Sequence, residues 1–362
     1  MSASKPGRRS GMREVAAAAG VSIGTVSNVL NNPELVAGST RERVERAMLE
    51  LGFVRNAWAR HLREGRAGVA GAIVLDLTNP FFAAVARGIE DRLAADDCTL
   101  IVCSTNECVD KERSYLRVLQ ERGVRGILLT PLTSREDLLV EIGRLGTPVV
   151  LLDSPSRTSR LCSVWVDDVK GGELVATHLM SLGHRRIVFL NGPPTIAQCA
   201  ARGLGARRAM ASGGLDPARH LLEVTLPPIS ADGVDVVIER VLDLADRPTA
   251  IMCVSDLAAL RVMRQLRRRG IDVPGDIAVT GYDDMPLAAE LYTPLTSVRQ
   301  PTYELGRVAA ELLLAEATPG HRHEQMIFQP ELIVRGSTAV HVRDQSAGGG
   351  GFRSGIDKVV NP

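Results

Sequence analysis

The sequence predicts a small all-α head joined to a larger α/β body with parallel sheets. Two observations lead there: the apolar pattern changes once, near Gly65 to Gly68, and the charge balance changes sign with it. Before that point apolar residues recur at helical spacing. After it, short β-branched runs alternate with amphipathic stretches of helical length. The length agrees, since 362 residues at about 150 per domain point to two or three domains with ample core.

Residues 1–11 are small, polar and basic and read as a disordered arm. A first helix is expected over 12–19, with Gly20 supplying the turn. Ser22 then caps a second helix over 23–30, its hydroxyl serving an orphan backbone N–H, and Asn31-Asn32-Pro33 stop it. Ser39 or Thr40 opens a third, with Val44, Ala47, Met48 and Leu51 at helical spacing and Gly52 beyond its end. These make a head over 12–54, followed by a short linker over 55–66. In the body, 67–339, strand-like runs fall at 69–75, 99–103, 126–129, 149–152, 187–190, 250–254 and 277–280. Helical stretches separate them, for example 83–94, 111–120, 171–181 and 257–269. Strands alternating with helices imply parallel sheets with right-handed crossovers. Seven or more units over this length fit two sheets better than one, with a single closed barrel as the competitor. Residues 340–362, which include a run of four glycines, read as a flexible tail.

Composition excludes several classes. No apolar stretch reaches eighteen residues, so no membrane span is expected. Basic residues near the N-terminus have no apolar segment behind them, which argues against a secretory signal and for the cytosol. The six cysteines form no CxxC pair, so neither a disulfide framework nor a zinc ribbon is expected. Net charge is only +1, but residues 1–67 carry eleven Lys and Arg against six Asp and Glu, a net of +5. A basic head on a mildly acidic body suggests a nucleic-acid module attached to something else.

A helix, a Gly-containing turn and a capped second helix form a helix-turn-helix, whose second helix enters the DNA major groove. Val26, Val29 and Leu30 share the face that packs on the first helix. Gly24, Ser27, Asn28 and Asn31 share the other, flanked by Ile23 and Thr25. That short polar face suits phosphate hydrogen bonds and an Asn contact to a base edge. On pattern alone, a three-helix domain with merely solvated polar residues stands level with this reading.

The residue strings separate the two. Ala16-Ala17-Ala18-Ala19-Gly20-Val21-Ser22-Ile23-Gly24-Thr25-Val26-Ser27-Asn28-Val29-Leu30-Asn31, then Thr40-Arg41-Glu42-Arg43-Val44 and Glu50-Leu51-Gly52-Phe53, closely resemble the DNA-binding head of the lac/galactose repressor family. Arg55-Asn56-Ala57-Trp58-Ala59-Arg60-His61-Leu62 resembles that family's hinge helix. The resemblance implies DNA contacts from Ser22, Ile23, Gly24, Thr25, Ser27, Asn28 and Asn31 in the head and from Asn56, Ala59, Arg60 and Leu62 in the hinge. Leu62 would wedge into a minor-groove base step and kink the DNA. Two places depart from the family pattern. Gly11 stands where relatives usually have a helix-capping, phosphate-touching Thr. Ile23 and Gly24 stand where longer polar base-readers are common, which shifts specificity toward Asn28 and DNA shape.

The resemblance continues through most of 68–338. Its landmarks are Asn79-Pro80-Phe81-Phe82, Val166-Asp167-Asp168, Leu182-Gly183-His184-Arg185-Arg186-Ile187, Gly281-Tyr282-Asp283-Asp284 and Pro294-Leu295-Thr296-Ser297-Val298-Arg299-Gln300. It implies two α/β lobes like those of periplasmic sugar-binding proteins, with a ligand cleft at the strand ends. A sugar needs flat apolar faces for its C–H surface and charged partners for its hydroxyls. Phe81, Phe82, Asp153, Arg202, Ser255, Asp283 and Gln300 match the family's ligand-contacting positions, with Ser255 where Asn is common. Asp256 beside it either joins them or caps the helix expected at 257. Trp165 lies inside a strand-like run and is expected to pack.

Enzyme readings fail on the residues. His321 and His323 have no evident carboxylate triad and are expected on a solvated loop, so no metal site is assigned. Arg202-Gly203-Leu204-Gly205 is not a full dinucleotide-binding fingerprint, and no G-x-S-x-G elbow or P-loop occurs. The expected protein is therefore a non-enzymatic repressor without a cofactor. It would bind a double-stranded, palindromic DNA operator as a homodimer and a small sugar- or nucleoside-like effector, away from any membrane. The family's tetramers use a C-terminal leucine heptad that 340–362 lacks. Rival readings are control by a protein co-regulator and a solute-binding module using the body alone.

Overall fold

A computed structural model describes residues 11–51, 53, 68–133, 135–227, 234–318 and 320–338. The arm at 1–10, the hinge segment 55–66 with Asn56, Ala59, Arg60 and Leu62, the tail beyond 338 and the side chain of Asn31 lie outside the described residues. The chain divides into two compact units, Met1–Arg66 and Ala67–Pro362.

In the head, α1 (Met12–Ala19), α2 (Ile23–Asn31) and α3 (Gly38–Glu50) enclose a core of Val15, Ala16, Ala19, Val26, Val29, Val44 and Ala47. Gly20 ends α1 in the left-handed conformation (φ 64°), which an L side chain resists, and its N–H closes the turn onto α1 carbonyls. Ser22 caps α2, accepting the Thr25 N–H at 3.0 Å. Gly11 precedes α1 without a side chain to cap it; the Glu14 carboxylate accepts the Gly11 N–H at 2.9 Å instead. Ser39 and Thr40 do not open α3, which starts a residue earlier behind Ala37 without a side-chain cap.

The body holds two six-stranded sheets. The first lobe contains β1 (Val69–Val74), α4 (Pro80–Ala94), β2 (Thr99–Ser104), α5 (Val109–Glu121), β3 (Ile127–Leu129), α6 (Glu136–Arg144), β4 (Val149–Leu152) and β5 (Ser163–Val166). The second contains α7 (Asp168–Ser181), β6 (Ile187–Asn191), α8 (Ala197–Ser212), α9 (Pro217–His220), β7 (Leu221–Thr225), α10 (Val234–Leu242), β8 (Ala250–Cys253), α11 (Asp256–Arg268), β9 (Ala278–Asp283), α12 (Pro286–Glu290) and β10 (Thr296–Arg299). The chain then returns: α13 (Thr302–Ala315) and β11 (Gln325–Phe328) join the first lobe, and β12 (Glu331–Ile333) the second. Strand orders are β11-β5-β4-β3-β1-β2 and β12-β10-β9-β8-β6-β7, parallel throughout except for the β10–β12 pair. The barrel alternative is thereby excluded.

The chain crosses between lobes three times, at 166–168, 299–302 and 328–331. All seven strand-like runs became strands. Of the five strands outside those seven runs, β5 forms around Trp165, and β7, β11 and β12 lie at sheet edges, where half-exposed residues blur the apolar signal; β10 is the fifth. Each lobe also has a glycine-mediated helix contact. A Cβ on Gly172 of α7 would collide with the Arg202 carbonyl of α8, and one on Gly205 with that of Val169. Gly88 and Gly306 play the same part between α4 and α13. This close approach fixes where α8 carries Arg202. His321 and His323 lie on a loop as expected, with His323 exposed, but both contact Cys162 and Glu316 and His321 is half-buried. Among the described residues, no helix is long and apolar enough to cross a membrane.

Candidate DNA-reading surface and ligand cleft

The second helix of the head sorts its residues as the period requires. Val26 and Val29 are buried and Leu30 is half-buried, while Ser22, Ile23, Gly24 and Asn28 are exposed and Thr25 and Ser27 are intermediate. The Ser22 and Thr25 hydroxyls lie 2.9 Å apart, tying the cap to the helix's first turn. The outward face of α2 therefore offers hydroxyls and oriented backbone N–H groups at its N-terminus and the Asn28 side-chain amide further along, a set suited to phosphate oxygens and base edges.

In the body, a cavity of ≈ 110 Å³ opens between the lobes at the strand ends. That is roughly ten times what a single buried water needs. Phe81, Phe82, Asp153, Arg202, Ser255 and Asp283 all line it. Asn79 caps α4 by accepting the Phe81 N–H at 3.0 Å, which starts the helix where both rings face inward. The two rings meet edge to face, centroids 5.0 Å apart.

Arg202 is buried and held on three sides. Its Nε donates to Asp168 Oδ1 at 2.7 Å, its Nη1 donates to the Val254 carbonyl at 2.6 Å, and its guanidinium lies 3.6 Å from the Tyr282 ring centroid. The Tyr282 hydroxyl also donates to Asp168 Oδ1, at 2.9 Å. This frame leaves the guanidinium little freedom, so its remaining N–H groups are aimed in advance.

Two residue pairs bridge the cleft. Asn79 Nδ2 donates to Asp283 Oδ2 at 3.2 Å, and Gln198 Nε2 donates to Asp153 Oδ2 at 2.9 Å and to the Asp153 carbonyl. Gln300 is buried but is not at the cavity wall; its Nε2 donates to Asp283 Oδ1 at 2.8 Å, so it positions that carboxylate from behind. Ser255 accepts the Ala258 N–H at 3.3 Å and is itself the cap of α11. Asp256 neither caps that helix nor reaches the cavity. It accepts from the Met285 N–H and the Ser297 hydroxyl, and burial pushes its carboxyl to about 7. Trp165 lies in β5 away from the cavity, as its strand-like setting implies.

Electrostatics follow from burial. Burial raises Asp283 to about 6, opposed by the Arg202 charge and the Asn79 and Gln300 amides. Burial, then the Asp168 charge, raises Asp153 well above the usual carboxylate range. Burial also raises Asp168, against the pull of Arg202. Three carboxylates thus share one buried cation, and perturbed acids in a cleft of this kind mark a binding site. Within that site, Asp153 Oδ1 and Gln198 Oε1 are buried acceptors with no hydrogen-bond partner among the described residues. Sequence reasoning missed Gln198 and the framing roles of Asp168 and Tyr282. The latter two stood only as landmarks, and Gln198 carried no signal of its own.

A DNA-reading helix on one unit and a two-lobed ligand cleft on the other define a ligand-responsive DNA-binding regulator. The sequence profile described as bacterial regulatory proteins, lacI family, matches residues 11–56, and a periplasmic binding protein-like domain matches 176–338. The transcriptional repressor PurR of Vibrio atlanticus is 33% identical over 327 residues, covering 90% of this chain and 97% of its own. That of Vibrio parahaemolyticus is 35% identical over 328 residues, with the same coverage. Among solved structures, the lac repressor dimer bound to operator and the anti-inducer ONPF is 25% identical with TM-score 0.72, covering 91% of this chain and 99% of its own. The regulator CelR in complex with cellobiose is 30% identical with TM-score 0.66, covering 91% and 100%. The chain belongs to the lacI family of bacterial regulatory proteins. It is a transcription regulator and not an enzyme.

Proposed function

We propose that the protein is a cytoplasmic repressor that binds a palindromic operator as a homodimer and answers to a sugar-like effector held between the lobes. In this reading 12–54 is the DNA-binding head, 55–66 the hinge and 67–339 the effector and dimerisation domain. Ser22, Ile23, Gly24, Thr25, Ser27, Asn28 and Asn31 contact the major groove. Asn56, Ala59, Arg60 and Leu62 act from the hinge in the minor groove. Phe81, Phe82, Asp153, Arg202, Ser255 and Asp283 contact the effector, with Gln300 holding Asp283 in place.

One observation carries the effector class. Buried acceptors without donors, at Asp153 Oδ1 and Gln198 Oε1, lie beside the Asp283 carboxylate, the Arg202 guanidinium and two phenylalanine rings. Hydroxyl groups donate to the carboxylates and accept from Arg202, while the rings cover a flat C–H face. Solved relatives with bound cellobiose and ribose support the same class. An effector that replaces the Asn79–Asp283 and Gln198–Asp153 bonds with its own changes the relative stability of lobe arrangements, as allosteric control requires.

The test is to select bound DNA from a random pool with the full-length protein, then screen monosaccharides, disaccharides and nucleosides for their effect on that complex. A palindromic site whose affinity falls steeply with salt and shifts with one sugar is expected. Selection of no consensus, or a shift with nucleosides alone, would overturn the corresponding half of the proposal.

A further inference from the structure

Outside the cavity lining, four donor atoms converge on the first lobe where the chain makes its last return. Cys162 ends the loop leading into β5, with its side chain fully buried and its Sγ accepting the Glu324 N–H at 3.3 Å. Glu316 follows α13, and His321 and His323 lie on the segment running from it into β11. Cys162 Sγ is 3.2 Å from His321 Nε2 and 3.9 Å from His323 Nδ1. Glu316 Oε1 is 2.9 Å from His323 Nδ1 and 3.8 Å from His321 Nε2. The four donor atoms all lie within 4.8 Å of one another.

These separations are the edges of a coordination tetrahedron. Metal–sulfur bonds near 2.3 Å and metal–nitrogen or metal–oxygen bonds near 2.0–2.2 Å place neighbouring ligands about 3.3–3.6 Å apart. Four of the six edges match that span to within a few tenths of an ångström, and the remaining two, Cys162–Glu316 and His321–His323, are no longer than 4.8 Å. The donor set narrows the ion further. A thiol sulfur and two imidazoles disfavour magnesium and calcium and suit a borderline divalent cation such as zinc. Four protein donors leave no open coordination position, the arrangement of a structural rather than a catalytic site. Glu316 and His321 side chains are each 11% exposed, and His323 at 34% supplies the route of access. The expectation of no metal site rested on the His pair and on the absence of a CxxC motif; Cys162 stands 159 residues from His321, and Glu316, close by in sequence, gave no signal by itself.

We propose that Cys162, Glu316, His321 and His323 bind one zinc-class divalent cation, which fastens the segment 316–323 and strand β11 to β5. Binding displaces the Cys162 thiol proton to solvent, so the ligand is the thiolate. The mechanical consequence follows from topology. β11 is an edge strand whose sheet partner among the described residues is β5, with Met326 and Ile327 exposed, and Gln329 and Pro330 alone separate it from β12 in the other lobe. The cation therefore anchors one of the three crossings on which lobe movement turns.

The experiment uses the full-length protein, stripped with chelator and titrated with Co²⁺ and then Zn²⁺. One cobalt per chain is expected, with the intense visible bands of tetrahedral coordination and a near-ultraviolet thiolate-to-cobalt charge-transfer band, both displaced by Zn²⁺. Cys162→Ser should abolish the charge-transfer band, and His323→Ala, at the exposed edge, should weaken Zn²⁺ binding at least ~10-fold. Hydrogen exchange over 316–328 should slow on adding Zn²⁺ to the wild type and not to His323→Ala. A weak six-coordinate cobalt spectrum, or a charge-transfer band that survives Cys162→Ser and so belongs to another cysteine, would overturn the proposal. If Cys162→Ser fails to fold, unchanged Zn²⁺ affinity in His323→Ala does the same.

Discussion

Replacing Arg202 with Met tests the logic of the cleft most directly. Arg202 and Asp168 are each 8% exposed at the side chain and joined by a 2.7 Å bond. Removing the cation leaves Asp168 buried with only the Tyr282 hydroxyl donating to it in this frame, and also leaves the Val254 carbonyl without its donor. Breaking a buried pair by deleting one partner costs about 3–5 kcal/mol. That is a large part of the roughly 5–15 kcal/mol available to a folded domain. Adding Asp168→Asn removes the stranded charge, so the double variant should recover about 2–3 kcal/mol of the loss, within the coupling expected for touching residues. Urea denaturation of the four proteins, read by tryptophan fluorescence, gives the cycle. Effector binding, measured separately, should be lost in Arg202→Met and stay lost in the double variant, because the neutral frame has no cation for a hydroxyl. A loss below about 1 kcal/mol in Arg202→Met, or no coupling with Asp168→Asn, would refute the account of a cation held by a buried acid.

Other expectations follow from particular contacts. Asp283 sits at about 6 in the folded protein against an ordinary 3.8, so its contribution to stability is fully present below pH ~4 and is lost as the pH rises through about 6. Asp283→Asn should therefore flatten the stability profile across that window while weakening effector binding. In the wild type, effector affinity measured by calorimetry should fall by up to ~10-fold per pH unit below about 6, as the accepting carboxylate is protonated. Gly205→Ala drives a methyl into the Val169 carbonyl and should cost about 1–3 kcal/mol in chemical denaturation. Ser22→Ala removes the cap on α2 and should destabilise the head by about 1 kcal/mol, seen as an earlier melting of its helices by circular dichroism. Asn28→Ala should relax base preference at one operator position in a binding-selection assay, whereas Leu62→Ala should weaken specific operator binding throughout. Unchanged operator affinity in Leu62→Ala would refute the minor-groove wedge.

Much of the site was legible because its residue strings resemble a family, not because the residues announced their chemistry. Asp283 is an acid at a strand end and Arg202 a cation in the second turn of α8, and without the resemblance each is an ordinary loop acid and surface charge. The structure adds what their neighbours do. Asp168 lies 34 residues from Arg202, and Gln300 reaches Asp283 across a strand pair, so neither role appears in local spacing. Asp256 and Ser255 divide the work differently from the expectation. The serine caps the helix and faces the cavity, and the aspartate ties the helix to the turn after β9.

Periodicity by itself determined the three-helix head, the alternation of strands and helices and the place where one gives way to the other. These depend on interactions within a few turns of chain, which a linear pattern records. The basic head and acidic body belong to the same class of information. Tertiary structure alone decided which strands lie side by side, how three crossings divide two sheets, and which buried groups meet. It brought Cys162 within 3.2 Å of His321 across 159 residues, and it set three carboxylates around one guanidinium. The physical reason is common to all of these. Contacts between distant segments are selected by packing and by the need to pair buried polar groups, and neither leaves a period in the sequence.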